Sequence, residues 1–242
     1  MKIADKVLPY LKGEKFSNGL TIPIAKKRNL FPNRIDYVCE YLKGKKVLHV
    51  GCVDHVPLIK EKVKQNKWLH AKIDEVATLQ LGIDINKEGI TFLKEELSIT
   101  NVVYENILDE HEPNQLIKNE KWDVMFLGEI LEHVDNPVTF LSGIKKKYAP
   151  HVKQIMITVP NAFTLSNFLL ALKGKECINS DHRSWFSPFT LSKILCISGF
   201  DIIEFDFVTS FPEDYKKDFL KRMLLKKFPA LNSNIIMIAS FT

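Results

Sequence analysis

The stretch Lys46-Val-Leu-His-Val-Gly51-Cys52 decides the fold class, because it is a short apolar run that ends abruptly at a glycine. Such a run is typical of a strand that is buried on both faces in a parallel sheet. The glycine lets the chain turn sharply and lets a ligand approach the backbone without meeting a Cβ atom. We therefore interpret residues 46–50 as the first strand of an α/β domain.

Similar short apolar runs recur downstream and alternate with helical patterns. We predict further strands over residues 81–85, 102–104, 122–127, 154–159, 201–208 and 235–241. This alternation indicates a doubly wound, mostly parallel sheet with helices on both faces. Ligands of such sheets collect beyond the carboxyl ends of the strands. A helix before the first strand is predicted from the helical spacing of Ile35, Val38, Cys39 and Leu42 after Pro32.

Composition and charge exclude several classes of protein. A chain of 242 residues with 45% hydrophobic content can bury a single large core, and its net charge of +5 is too small to require a nucleic-acid partner. No pair of cysteines has the CxxC spacing of a zinc or redox site. The chain begins without an apolar leader, and no run is long enough to cross a bilayer. We therefore expect a cytoplasmic protein with reduced thiols and no transmembrane segment.

Polar residues follow the predicted strands in a fixed order. The run Leu81-Gly-Ile-Asp84-Ile85 places a carboxylate where it can accept hydrogen bonds from the two hydroxyls of a ribose. The run Asn101-Val-Val-Tyr-Glu-Asn106-Ile107 places an amide and an apolar side chain where an adenine can bind. The fourth and fifth strands end in Gly128-Glu129-Ile-Leu-Glu132-His133 and Val159-Pro160-Asn161. The whole order predicts a nucleoside-containing cofactor.

With these residues in this order, the sequence resembles the class I S-adenosylmethionine-dependent methyltransferases, in particular bacterial members that modify sugars and glycans. The resemblance covers about residues 45–208. It implies a Rossmann-like sheet of seven strands with the last strand antiparallel, and S-adenosylmethionine as the cofactor. It places Gly51 and Cys52 under the methionine part of the cofactor, Asp84 and its neighbour Ile85 at the ribose, Asn106 and Ile107 at the adenine, and Gly128 and Glu129 near the sulfonium.

The first cofactor loop departs from the pattern of that family. His49 stands where the family has an acidic residue, and Val53 and His55 stand where it has glycines. Asp84 comes 33 residues after Gly51, because residues 68–75 add a segment between the first two strands. These departures leave open a binding or regulatory protein that keeps the fold without catalysis. A dinucleotide site is disfavoured, because there is no GxGxxG motif.

Two histidines are candidates for a general base on the acceptor side. Histidine titrates near neutral pH, and a positioned base adds about 10²–10⁴-fold to the rate. His133 follows the fourth strand, and His182 lies in a segment, residues 179–188, that is similar to the one closing over the acceptor in sugar methyltransferases. The alternatives are structural. His182 is then held by Asp181, and His133 serves as a helix cap or packs beside the cofactor.

Other residues near these histidines have two possible roles each. Glu129 and Glu132 are spaced to share a helix face, where they act as an acid–base pair, or where one meets the cofactor and the other is solvated or ion-paired. Trp185, Phe186 and Phe189 either line the acceptor pocket or anchor the next helix. The remaining histidines show no metal-ligand spacing, so we assign no metal; they are His49, His55, His70, His111 and His151.

The sequence thus predicts one methyltransferase domain over residues 1–242. Its parts are a helical lead-in (1–44), a cofactor-binding core (45–160), an acceptor-side lid (161–200) and a C-terminal hairpin with a basic helix (201–242). We expect O-methylation of a sugar or of a capsule or lipopolysaccharide precursor. An alternative acceptor is a small metabolite such as a quinone precursor. Nucleic acid is disfavoured as an acceptor. The basic helix is either a solvated face or a weak membrane-surface contact, and no feature specifies an oligomeric state.

Overall fold

The computed structural model describes residues 1–25, 33–54, 56–210 and 219–241. Within them, seven strands form one sheet in the order β3-β2-β1-β4-β5-β7-β6. Strands β1 to β5 are parallel, whereas β7 runs antiparallel to both β5 and β6. The bounds are β1 Lys46–Val50, β2 Leu79–Asp84, β3 Val102–Tyr104, β4 Trp122–Gly128, β5 Val152–Pro160, β6 Asp201–Val208 and β7 Asn234–Ser240. The predicted doubly wound, seven-stranded sheet is confirmed, and each predicted strand is found within two residues of its expected ends.

Helices connect the strands and cover the sheet. Their bounds are α1 Leu8–Leu11, α2 Arg34–Leu42, α3 Val56–Lys64, α4 Leu69–Asp74, α5 Lys87–Leu97, α6 Gln115–Lys118, α7 Pro137–Tyr148, α8 Leu165–Ala171, α9 Pro188–Ile197 and α10 Phe219–Lys227. The predicted helix before β1 is α2, whose first turn is capped by the Asn33 side chain accepting from the Ile35 amide at 2.8 Å. The described helices include none that is both long and apolar enough to span a membrane.

Side chains of the central strands alternate between two buried faces. In β4, Met125 and Leu127 pack in the core that includes residues of α7 and α9, whereas Val124 and Phe126 pack in the core that includes residues of α2 and α4. Because successive side chains of a strand point to opposite faces, a continuous apolar run satisfies both cores at once. This explains why the strands read as apolar runs rather than as alternating patterns.

The predicted basic helix over residues 215–228 is described only in part. Residues 215–218 lie outside the described residues, as do the side chains of residues 219–222. In α10, Leu225 is buried, and Met223 is 54% exposed. One side of this helix therefore packs against the protein. Pro32 and His55, which entered the sequence interpretation, also lie outside the described residues.

Candidate active site

The turn after β1 is tight and closely packed. Gly51 has φ +68°, and a Cβ atom at this position would lie 2.8 Å from Cδ1 of Ile130. The amides of Gly51 and Cys52 donate to the carbonyl oxygen of Ile83 at 2.9 and 3.4 Å. The Cys52 side chain is buried beneath Gly82, and burial raises the pKa of its thiol. Cys52 therefore packs the base of the turn as a neutral side chain.

Asp84 lies at the end of β2, next to β1 in the sheet. Its carboxylate accepts hydrogen bonds from the amides of Val53 and Asn86, each at 2.9 Å. Burial raises the pKa of the Asp84 carboxyl despite these bonds. A carboxylate has about four acceptor positions, so acceptor capacity remains for a ligand. Ile85 beside it is 67% exposed, an unusual position for a large apolar side chain.

Asn106 and Ile107 follow β3 but do not present free groups. The Asn106 side chain closes a turn, because its Oδ1 accepts from the Leu108 amide at 3.1 Å and its Nδ2 donates to Asp109 Oδ1 at 2.7 Å. Ile107 is buried in the core shared with α7. An adenine contact by Asn106 therefore requires its side chain to leave this turn or to share its oxygen.

Glu129 follows β4 and contacts both β5 and β7. Its amide donates to the carbonyl of Thr158 at 2.9 Å, and its carboxylate accepts from Asn234 Nδ2 at 2.9 Å. Arg34 Nη1 lies 3.8 Å from the same carboxylate. Glu129 directly follows β4 and has φ +57°, in the left-handed region of the backbone. The prediction that Glu129 and Glu132 share a helix face is therefore wrong, because the 3₁₀ turn spans only Leu131–His133 and Glu129 lies outside it.

Glu132, His133 and His182 meet beyond the end of β4. Each offers one ligand atom, and these atoms lie within 4.8 Å of one another. Glu132 is fully buried and neither of its carboxylate oxygens has a hydrogen-bond partner. Burial, with the Glu129 charge as the second cause, raises the pKa of the Glu132 carboxyl to about 8. We name these three residues the EHH cluster.

His182 is not held by Asp181 as the structural alternative supposed. Its Nδ1 is buried without a hydrogen-bond partner, and its ring stands edge-on to His133 with centroids 4.7 Å apart. Burial, and then the nearby His133, lowers the pKa of His182. Asp181 instead offers its main-chain oxygen to His133 Nδ1 at 3.3 Å. His182 is therefore neutral at neutral pH, with a nitrogen available to bind a proton or a ligand.

The aromatic residues after His182 divide between the two predicted roles, which are lining a pocket and anchoring the chain. Phe186 is buried, and its carbonyl accepts from the Ala162 amide at 2.8 Å, so it anchors the segment to the end of β5. Trp185 stands edge-on to His182 with ring centroids 6.4 Å apart. Phe189 lines an apolar cavity together with Phe16 and Phe163. The sequence could not separate these roles, because all three residues have the same aromatic character.

The departure at His49 is explained by the added segment. His70 on α4 accepts at its Nδ1 from Gln80 Nε2 at 2.9 Å and lies 3.0 Å from His49 Nδ1. The Nε2 of His70 lies 3.4 Å from Asn101 Oδ1. Asn101 Nδ2 donates to Asp74 at 2.8 Å, which identifies the atom facing His70 as the amide oxygen. The proton of His70 is therefore on Nε2, and His49 donates from Nδ1. Burial lowers the pKa of both histidines, that of His70 to about 4.

Comparison with known proteins agrees with this fold. The sequence profile of the family described as "Methyltransferase domain" matches residues 29–204. A ubiquinone biosynthesis O-methyltransferase of Aliivibrio fischeri is 27% identical over 174 residues, which cover 68% of each chain. The crystal structure of magnesium protoporphyrin IX methyltransferase from Synechocystis PCC 6803, with bound SAH, has TM-score 0.51 and 16% identity, and covers 85% of this chain and 81% of its own.

A second solved structure, a SAM-dependent methyltransferase from Aquifex aeolicus, has TM-score 0.52 and 15% identity. The match covers 87% of this chain and 90% of that one. At such identity both structures establish the fold alone, whereas the family profile spans most of the chain. The chain therefore belongs to the methyltransferase-domain family and is an S-adenosylmethionine-dependent methyltransferase.

Proposed function

We propose that the protein transfers a methyl group from S-adenosylmethionine to a hydroxyl oxygen of a small organic molecule. The names of its relatives support this acceptor class, since they are O-methyltransferases of ubiquinone biosynthesis. They do not support the sugar or polysaccharide precursor expected from the sequence, and they favour the alternative of a small metabolite such as a quinone precursor. The observation that carries the proposal is the EHH cluster, whose groups can take a hydroxyl proton beside the cofactor groove.

The residues at the ends of β1 and β2 fit the adenosyl part of this cofactor. Asp84 keeps acceptor positions for ribose hydroxyls, and the exposed Ile85 offers an apolar surface for an adenine face. Gly51 keeps the first turn free of a side chain. When bound, S-adenosylmethionine supplies a methyl group on a positively charged sulfur, so the protein need only align the acceptor and remove its proton.

In this proposal Gly128 and Glu129 border the methyl-donor side, and Cys52, Asn106 and Ile107 shape the rest of the groove. Glu129 is held by Asn234 and Arg34, which fixes its carboxylate. Gly128 has no room for a side chain, because a Cβ atom would lie 2.9 Å from the Phe126 ring. These residues therefore form a rigid wall beside the place where the acceptor meets the methyl group.

The acceptor proton goes to the EHH cluster. A neutral imidazole with a free nitrogen is the form required of a general base, and burial keeps His182 in that form. His133 donates from Nδ1 to the Asp181 carbonyl, which leaves its Nε2 unprotonated in the neutral ring. The segment over residues 161–200 carries His182 and serves as the acceptor-side lid of a single domain in the cytoplasm.

A methylation assay with radiolabelled S-adenosylmethionine tests the acceptor class. Purified protein is offered vicinal dihydroxy aromatic acceptors, other phenols and nucleotide sugars, with the product analysed by mass spectrometry. We expect an O-methyl product from the hydroxylated aromatic acceptors. Methylation of the sugars alone would contradict the proposed acceptor. Failure to methylate any acceptor despite tight cofactor binding would favour a regulatory protein that keeps the fold.

A further inference from the structure

The EHH cluster contains a buried carboxyl group without a hydrogen-bond partner. Glu132 is 0% exposed, and both of its oxygens lack a hydrogen-bond partner. His182 Nδ1 is also buried without one. A carboxylate is buried in proteins only when it is paired, hydrogen-bonded, protonated or bound to a cation. Arg34, the cation that lies near Glu129, makes its ion pair with Glu129 and a hydrogen bond to Thr158. Protonation or a bound cation remains for Glu132, and the two imidazoles beside its carboxyl group favour a cation.

The distances in the cluster suit one metal ion. Its three ligand atoms lie within 4.8 Å of one another. Tetrahedral nitrogen and oxygen ligands at about 2.0–2.2 Å from a common ion stand about 3.3–3.6 Å apart. The ligand atoms must therefore approach one another by at most about 1.5 Å, which rotation of the half-buried imidazoles provides.

Contacts outside the cluster hold its two segments together. The Arg183 amide donates to the Glu132 carbonyl at 2.7 Å, and the Arg183 guanidinium contacts the His133 carbonyl and the Asp135 carboxylate. His133 is oriented by its bond to the Asp181 carbonyl. Metal-binding histidines commonly donate their second ring nitrogen to such a carbonyl. The positions of the ligands are therefore fixed by groups that do not themselves bind the ion.

We propose that Glu132, His133 and His182 bind a divalent first-row transition-metal ion. One carboxylate oxygen and two imidazole nitrogens form a set that suits Mn²⁺, Fe²⁺, Co²⁺ or Zn²⁺ rather than Mg²⁺ or Ca²⁺, which prefer oxygen ligands. Three protein ligands leave coordination positions open for a substrate oxygen. The sequence interpretation assigned no metal, because His182 comes from a segment distant from Glu132 and His133 and its spacing carries no signal.

The role of the ion in methylation rests on the proposed function, whereas its binding does not. An acceptor hydroxyl that takes an open position has a lowered pKa and releases its proton to water. The oxygen then forms a bond to the methyl carbon while the carbon–sulfur bond breaks, leaving neutral S-adenosylhomocysteine. With the ion bound, the two histidines bind the ion, and the ion takes over the role that the proposed function gives to the free imidazole of His182.

Cobalt binding tests the proposal without any assay of activity. The full chain is stripped with a chelator, exchanged into metal-free buffer and titrated with Co²⁺, with binding measured by calorimetry and by the visible absorption of the ion. We expect one Co²⁺ per chain, and at least about tenfold weaker binding in Glu132→Gln and in His182→Ala. The exposed His111 gives a matched control, and His111→Ala should bind as the unaltered protein does.

Two results would overturn the proposal. One is the absence of Co²⁺ binding by the unaltered protein, and the other is equal binding by the cluster variants and His111→Ala. Circular dichroism and S-adenosylhomocysteine binding show whether each variant is folded. If Glu132→Gln does not fold, His182→Ala still tests the proposal, because it alters only a half-buried side chain. Methylation by the stripped protein in chelator leaves the proposed function intact and excludes a role of the ion in methylation. Cobalt binding without methylation of any acceptor supports the metal site and contradicts the proposed function.

Discussion

Asp84 connects the turn after β1 to the start of α5. Its two oxygens accept from Val53 and Asn86, so one carboxylate joins two segments and still has acceptor capacity for a ligand. The sequence predicted this residue, because a carboxylate directly after a buried strand has few structural reasons to be there. It could not predict the two amide contacts, which depend on how the loop at residues 51–54 folds back.

Asp84→Ala should weaken binding of S-adenosylmethionine by about 1.5–3 kcal/mol, roughly 10- to 150-fold, because a buried hydrogen-bonded contact to the ribose is lost. Titration calorimetry measures the change. Asp36→Ala, which removes an exposed carboxylate on α2, is the control and should bind normally. Equal affinities in the two variants would show that the ribose does not bind Asp84.

His182→Ala should lower kcat by about 10²–10⁴-fold while leaving S-adenosylmethionine affinity unchanged, because the acceptor hydroxyl then keeps its proton. Steady-state kinetics with separate cofactor titrations would show this pattern. His111→Ala, on an exposed histidine, is the comparison. A variant at His182 that retained full turnover would assign this histidine a structural role.

The acceptor-side segment is held to β4 by few contacts. Residues 171–181 are exposed throughout, and the segment meets the turn after β4 through Arg183 and through the contacts of Asp181 and His182 with His133. The sequence indicated a lid here from a resemblance, and it placed His182 within it. It could not predict that Arg183 positions His182 against Glu132, because a salt bridge and main-chain contacts between distant segments leave no periodic pattern.

Arg183→Ala should loosen this segment, since it removes the guanidinium contacts to the His133 carbonyl and to Asp135. We expect faster cleavage after Lys173 and Lys175 by a lysine-specific protease, followed by mass spectrometry. Asp135→Ala should act in the same direction but more weakly, because the contact to the carbonyl remains. Cleavage rates equal to those of the unaltered protein would show that other contacts hold the segment.

At the scale of the whole molecule, the strands were predicted well because a parallel sheet buried on both faces needs continuous apolar runs. The site was predicted less fully. Residues at strand ends, such as Gly51 and Asp84, follow from the fold, whereas His70 and His182 enter the interior from an added segment and a distant loop. Their partners depend on tertiary packing, which spacing along the chain does not record.

The buried pair of His49 and His70 should make the stability of the whole fold depend on pH. Both are neutral in the folded protein, and the pKa of His70 falls from an ordinary 6.5 to about 4. Unfolded chains therefore take up protons first as the pH falls below 6.5, and the folded state loses stability until about pH 4. For His70 alone this amounts to about 3 kcal/mol.

Urea denaturation between pH 7.5 and pH 4.5 measures this loss. Replacement of His70 by Gln, which retains hydrogen-bonding groups and does not titrate, should flatten the dependence, whereas His111→Gln should leave it unchanged. A dependence as steep in the His70 variant as in the unaltered protein would show that other groups control acid unfolding.

The most direct test of the account is a crystal structure of the protein with S-adenosylhomocysteine. We predict the adenosyl group beyond the carboxyl ends of β1 and β2, with ribose hydroxyls on Asp84, the adenine against Ile85, and the sulfur toward Gly128 and the EHH cluster. The compound bound elsewhere, or a groove closed by the loop at residues 51–54 under saturating ligand, would contradict the account.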